Sequence, residues 1–201
     1  MATVHDILIP VIKRLNANGV QSGLVMQSLN DTVDLLFEKL WFRDSDLATV
    51  KLDLRLPANR ALVQLPDDFR GLKGRPFLEG EGCRLMPATE DVIIAAAASP
   101  GKPSHYHLAG EEIEVFPTPT EEYRIQGRYY AHPGQITDVA LAMPFFDIFN
   151  RLCTEAIYKI CEGGPGVATT AAFSEFLDDG IDRVLASRDH HAPIRRRVRD
   201  F

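Results

Sequence analysis

Three groups of side chains have types and spacings that chemistry uses. His105 and His107 alternate along a strand-like stretch, so both rings point to one face, and with His132 they could hold a metal ion. Glu111, Glu112 and Glu114, then Glu121 and Glu122, cluster near turns, and paired carboxylates can do acid–base work. Gly163, Gly164, Pro165 and Gly166 form a glycine-rich run. Each falls short of a site. The histidines read as ordinary residues of a solvated face, and His190 and His191 lie where a metal would lack rigid support. No nucleophile, metal set or phosphate loop accompanies the glutamates, which read as a solvated or interface-facing surface. The glycine run lacks the Lys-Ser/Thr of a phosphate loop and reads as a helix stop. Asn30, Asp31 and Thr32 fit the glycosylation pattern, but they sit in a helical stretch of a chain without a secretion signal. No catalytic, cofactor or metal residue is assigned, and the expectation is a protein that does no chemistry.

Charge and cysteine content narrow the class. The net charge of -6 argues against a surface built to grip nucleic-acid phosphates, although an acidic wall past which DNA slides remains compatible with it. The three cysteines, Cys83, Cys153 and Cys161, are too few for a disulfide framework. Cys153 and Cys161 fall on one predicted helix, about 12 Å apart at about 1.5 Å per residue, too far for a bond. They read as small buried hydrophobes in a reducing cytoplasm. The start, from Met1 to Asp6, lacks the basic character of a signal peptide. No run reaches the roughly 18 apolar residues a membrane helix needs, so no membrane partner is expected.

The elements around these residues follow from periodicity. Val4, Ile7, Leu8, Val11, Ile12 and Leu15 have helical spacing, with Thr3 as a cap, Asn18 and Gly19 as a stop, and Pro10 inside to kink or shorten the helix. A second helix over 22–42 carries Val25, Leu29, Val33, Leu36, Phe37, Leu40 and Trp41. The pair makes an αα-hairpin. From 50 to 56 the pattern alternates, with Leu52, Leu54 and Leu56 on one face and Lys51, Asp53 and Arg55 on the other, which predicts a half-buried strand. Residues 57–60 form a turn, 61–65 a second strand and 66–69 one helical turn. Residues 71–79 and 83–86 are predicted to form a hairpin across 80–82. The Ala-rich stretch 88–98 reads as a helix, and 105–108, 112–116 and 123–131 as strands. These strands suggest a small antiparallel sandwich or open barrel. Helical spacing returns at Phe145, Phe146, Ile148, Phe149, Leu152, Cys153, Ala156, Ile157 and Ile160, and again over 168–187. Trp41, Phe42, Phe145 and Phe146 are expected in the core, with a partner-facing aromatic patch as the alternative.

The expected fold is therefore α+β. A discontinuous helical domain, 1–47 with 144–188, forms a four-helix unit from the N- and C-terminal helix pairs, because neither pair could bury its apolar face alone. A small antiparallel β domain, 48–143, is inserted between them, and 189–201 forms an extended, basic C-terminal tail.

Several phrases resemble the head-to-tail connector adaptor proteins of tailed bacteriophages, mainly the short-tailed kind. The stretch Leu62-Val63-Gln64-Leu65-Pro66-Asp67-Asp68-Phe69-Arg70-Gly71-Leu72 is similar to a strand followed by the family's Leu-Pro-Asp-Asp-Phe. Residues 103–110, followed by Ile113-Glu114-Val115-Phe116-Pro117-Thr118-Pro119, resemble its hairpin and closing Pro-x-Pro. Tyr129-Tyr130-Ala131-His132-Pro133 resembles the strand that returns to the helices, and 144–158 the helix that follows. The resemblance covers about 20–160. It implies a structural virion protein of the neck, made in the host cytoplasm: a ring of usually twelve subunits beneath the portal. Such a ring extends the DNA channel and offers sites to downstream tail or nozzle proteins and tail fibres. Its partners would be the portal protein and neighbouring subunits, with genomic double-stranded DNA passing through without sequence-specific binding. A related tail-tube or stopper component is the alternative. The family brings no catalytic residues and no cofactor. In such adaptors the C-terminal segment often reaches into the portal. The tail is accordingly expected to dock there, with Arg195, Arg196, Arg197 and Arg199 meeting carboxylates, and Pro193, Ile194, Val198 and Phe201 filling apolar clefts.

Overall fold

In a computed structural model of the chain, residues 3–16, 22–80, 82, 84–96, 100–132, 134–138 and 147–191 are described. In chain order the elements are α1 (Val4–Asn16), α2 (Ser22–Phe42), β1 (Thr49–Leu56), β2 (Leu62–Gln64), β3 (Phe69–Leu72), β4 (Phe77–Leu78), β5 (Met86–Pro87), α3 (Glu90–Ala96), β6 (His105–Ala109), β7 (Glu112–Phe116), β8 (Tyr123–Ala131), α4 (Asn150–Gly163) and α5 (Ala171–His191). The fold is α+β. The chain divides into two compact units, Met1–Lys39 with Gln135–Phe201, and Leu40–Gly134. These boundaries fall earlier than the 47/48 and 143/144 read from the sequence, and α2 runs across the first of them.

The helical unit starts with a reciprocal cap. The Asp6 carboxylate accepts the N–H and the hydroxyl of Thr3, each at 2.9 Å, while the Thr3 hydroxyl accepts the Asp6 N–H at 3.4 Å. These bonds to Thr3 hold the Asp6 carboxyl below the usual carboxylate range. Pro10 lies inside α1 and does not end it. Val4, Ile7, Leu8, Val11 and Leu15 are all buried, and that burial offsets the roughly 3 kcal/mol that proline costs in a helix interior. Ile12, expected on this stripe, sits at its edge and is exposed. On α2, Val25, Leu29, Val33, Leu36 and Phe37 are buried as expected. Ser28 and Thr32 are buried among them, which is tolerable because their hydroxyls donate to the carbonyls of Leu24 and Ser28 at 2.7 Å.

α4 follows a 3-10 turn, Asp147–Phe149, and buries Leu152, Cys153, Ala156, Ile157, Ile160 and Cys161. Ile148 is exposed, against expectation. Gly164, at φ 87, ends α4 in a conformation that favours glycine. A second 3-10 turn, Pro165–Thr169, takes up the start expected of α5, which instead runs to His191, into the stretch assigned to the tail. α1 and α5 both pack against α4. At Gly180 the approach is so close that a Cβ would lie 2.4 Å from Leu152 Cδ1. The Cys161 thiol of α4 donates to the Ser28 hydroxyl of α2 at 3.4 Å, and Lys39 of α2 pairs with Asp178 of α5 at 2.7 Å.

Among the described residues the β unit forms two four-stranded sheets. In one, β8 lies between β1 and β3, with β4 also on β8, all antiparallel. The other runs β2-β7-β6-β5. Its β5–β6 pair is parallel, which corrects the all-antiparallel expectation. A parallel pair needs a crossover connection, and the segment carrying α3 supplies it. Leu56, Leu65, Leu78, Leu85, Ile113, Val115 and Ile125 form one buried cluster between the sheets, so the unit is a sandwich. Two further corrections concern its first half. Residues 66–69 make a β-turn, closed by the Phe69 N–H on the Pro66 carbonyl at 2.9 Å, that leads directly into a strand. Among the described residues the predicted 71–79 and 83–86 hairpin shrinks to the Phe77–Arg84 bridge. The reason is competition, since β3 and β4 both pair with β8 and Gly74, at φ 75, turns the chain between them.

Candidate functional site

The residues with chemical potential in the sequence are dispersed by the fold. His105 and His107 lie on β6, with His107 opposite Glu114 of β7, and His105 Nδ1 is 2.9 Å from the Ser104 hydroxyl. His132 follows β8 in the other sheet, and its Nδ1 accepts the Gly134 N–H at 3.1 Å. Among the described residues no three His, Cys, Asp or Glu side chains are placed to hold a metal ion. Glu122 takes Arg55 in a two-bond pair at 2.8 and 2.7 Å, and the hydrogen bond from Arg55 lowers its carboxyl pKa. Glu121 accepts the Tyr123 hydroxyl at 2.7 Å. Burial pushes the Cys153 thiol up to about 12 and raises that of Cys161, where the Ser28 hydrogen bond opposes the shift. Both are free thiols and both stay protonated near neutrality. Cys83 lies outside the described residues.

Asn30, discarded as a glycosylation acceptor, has a structural task that the sequence did not signal. Its side-chain carbonyl accepts the Ile136 N–H at 2.7 Å, and its amide donates to the Ile136 carbonyl at 3.1 Å. This clamp fixes the chain where it returns to the helical unit.

Two surfaces of the β unit stand out. The first is aromatic. Trp41 and Phe42 are not core residues: Trp41 is 40% and Phe42 80% exposed. Their rings stack at 6.4 Å, and Trp41 reaches Tyr130 at 6.1 Å. The second is basic. Lys73, Arg75, Arg84 and Arg128 line a concavity of about 560 Å³ with Gly74, Gly127, Phe77 and Asp44. Lys73 is engaged by Asp46 at 2.7 Å and by the Asp44 carbonyl at 2.7 Å. Arg75 meets Met86 Sδ at 2.9 Å, and Arg128 donates to the Thr49 hydroxyl at 3.0 Å. Gly127 shapes the wall, since a Cβ there would come within 3.4 Å of Pro76 Cα. Beside the concavity the Tyr130 hydroxyl donates to Asp44, and on the other face of β8 Tyr129 donates to Asp68 at 2.9 Å. Burial first, then these carboxylates, push both phenols up to about 12.

Of the expected portal-docking residues, Pro193, Ile194, Arg195, Arg196, Arg197, Val198, Arg199 and Phe201 lie outside the described residues, as do Phe145 and Phe146. No helix among the described residues is long and apolar enough to cross a membrane.

The exposed Trp41–Phe42 pair and the basic concavity are surfaces suited to contact with another molecule. The profile of the SU10 adaptor protein family matches residues 2–197, through both units. The chain belongs to that family and is a phage adaptor protein. No curated protein matches it.

Proposed function

We propose that the chain is a head-to-tail adaptor of the short-tailed phage type, one subunit of a twelve-membered ring docked beneath the portal in the virion neck. The ring extends the channel through which double-stranded DNA passes and offers attachment sites to tail or nozzle proteins and fibres. The observation that carries this reading is the family match over 2–197, which embraces the helical pairs, the inserted β unit and most of the tail. The net charge of -6 suits a wall that DNA passes without being held.

Within this reading the four helices at the chain's two ends act as one four-helix unit. The packing of α1 and α5 on α4, the Cys161–Ser28 bond and the Lys39–Asp178 pair support that arrangement. The segment after α5, with Arg195, Arg196, Arg197 and Arg199 among Pro193, Ile194, Val198 and Phe201, docks on the portal by charge pairing and by filling apolar clefts.

The test is binding to the portal ring encoded in the same genome, full length against a version ending at His191, where α5 ends. Binding that depends on the tail supports both the adaptor role and the docking segment. Binding that survives truncation keeps the role and moves the contact to the helices. Failure of both forms overturns the reading in favour of a tail-tube or stopper component.

A further inference from the structure

The basic concavity of the β unit is unusual in an acidic chain. Arg75, Arg84 and Arg128 are all exposed, and among the described residues none pairs with a carboxylate. They converge with Lys73 on one space of about 560 Å³. Three exposed guanidinium groups on one wall repel one another, and an occupant bearing negative charge relieves that repulsion. The lining is not purely ionic, because Phe77 is 37% exposed there and Met86, against Arg75, is 41% exposed. Apolar surface beside forked donors fits a protein partner bearing carboxylates better than a bare phosphate chain.

The chain itself carries such a surface. On α5, Glu175, Asp179 and Asp182 recur at helical spacing on one exposed face, and Asp178 beside them is turned to Lys39. The Asp179–Arg183 contact within the helix is loose, at 3.8 Å and well exposed. An exposed helix ridge is a convex counterpart to a concavity, and its charge is opposite.

We infer that the concavity of Lys73, Arg75, Arg84 and Arg128 receives the Glu175, Asp179 and Asp182 face of α5 from a second copy of this chain. The two surfaces differ, so the contact is heterologous and each copy uses one surface toward each of two neighbours, which is the contact a ring requires. This inference rests on the ring reading above and assigns its subunit contact.

The experiment uses the full chain in three variants: R75E/R84E/R128E, E175K/D179K/D182K, and the two sets combined. Copy-to-copy association is measured by sedimentation of the free protein and by cross-linking of protein bound to the portal ring. Far-ultraviolet dichroism checks folding. Each triple reversal is expected to weaken association at least about tenfold, with a steep dependence on salt, and the combined variant is expected to recover most of it. Recovery in the combined variant excludes misfolding as the cause of the losses. Unchanged association in either single set, or no recovery in the combination, overturns the inference. So does a wild-type chain that makes no copy-to-copy contact either free or on the portal. Loss of duplex-DNA retention by R75E/R84E/R128E with association intact overturns it in favour of a nucleic-acid contact. Absence of portal binding by the wild type sinks the adaptor reading separately, because association of the free protein still reports on the contact.

Discussion

The helical unit and the β unit hold themselves together in different ways. In the helical unit the interior is a set of apolar stripes, from Val4 and Leu15 on α1 to Phe173, Leu177 and Ile181 on α5. Helix backbones satisfy their own hydrogen bonds, so burial of those stripes does most to join them, with the Asn30–Ile136 clamp and the Lys39–Asp178 pair beside it. In the β unit the strands are short and much of the chain is turn. Its buried cluster is supplemented by tethers: Tyr129 holds Asp68 of the turn before β3, and Tyr130 holds Asp44 of the turn before β1. Successive residues of a strand face opposite ways, so β8 secures a loop on each side of its sheet. The lesson is that irregular chain leans on specific side-chain partners where a helix leans first on an apolar face.

The largest way to challenge this comparison is to cut the cores. Ile157→Ala in the helical unit and Ile125→Ala in the β unit each remove a fully buried side chain and should cost about 3 kcal/mol. Trp41 is the chain's single tryptophan and lies in the β unit, so denaturant unfolding followed by its fluorescence reports that unit, while the far-ultraviolet helix signal reports mainly the other. Ile125→Ala should shift the tryptophan transition first. Equal shifts of both signals would show that the units unfold as one.

Gly180→Ala should have a smaller effect, confined to the helix signal. Alanine favours a helix by about 1 kcal/mol, but overpacking costs about 1–3 kcal/mol, and the added methyl would meet Leu152. A net loss that Leu152→Ala partly reverses would locate the α4–α5 contact there. A gain in stability would mean that Leu152 can move aside.

A weaker effect separates the units by pH. The folded β unit binds the phenolic protons of Tyr129 and Tyr130 more tightly than the unfolded chain does, with pKa values pushed from 10.0 to about 12. Their contribution is complete below pH 10 and is lost as pH rises through about 12. Tryptophan-detected stability should therefore fall across this window in the wild type and fall less in Tyr129→Phe. At the small end, Glu122→Gln breaks only an exposed pair with Arg55 and should leave the tryptophan transition unchanged within error. A clear shift there would mean that surface pairs, and not only the buried tethers, hold the β unit.

Much of this architecture was legible in the residues. The stripe of Val25, Leu29, Val33 and Leu36 marks α2, and the alternation of Leu52, Leu54 and Leu56 marks β1, because periodicity is a local property. The competition of β3 and β4 for β8 was not legible, nor was the parallel β5–β6 pair, since pairing between distant strands leaves little trace in either strand alone. Trp41 and Phe42 continue the apolar pattern of α2 yet are exposed, because composition cannot say where a helix leaves its core. The basic concavity was missed for a similar reason. Its cations are spread from Lys73 to Arg128 and carry no motif, and only strand register and the close approach of Pro76 to Gly127 bring them together. The Asn30 clamp on Ile136 gave no signal, as a lone asparagine in a helix announces no distant backbone partner.

The helices and most strands, the acid balance, and the phrases by which the chain resembles phage adaptors are properties of composition and of residue order along the chain. Which polar side chains meet, which aromatic rings stay outside, and where an acidic chain gathers its arginines were set by packing. Those outcomes depend on which distant segments bury against one another, and that choice is made by the whole core at once.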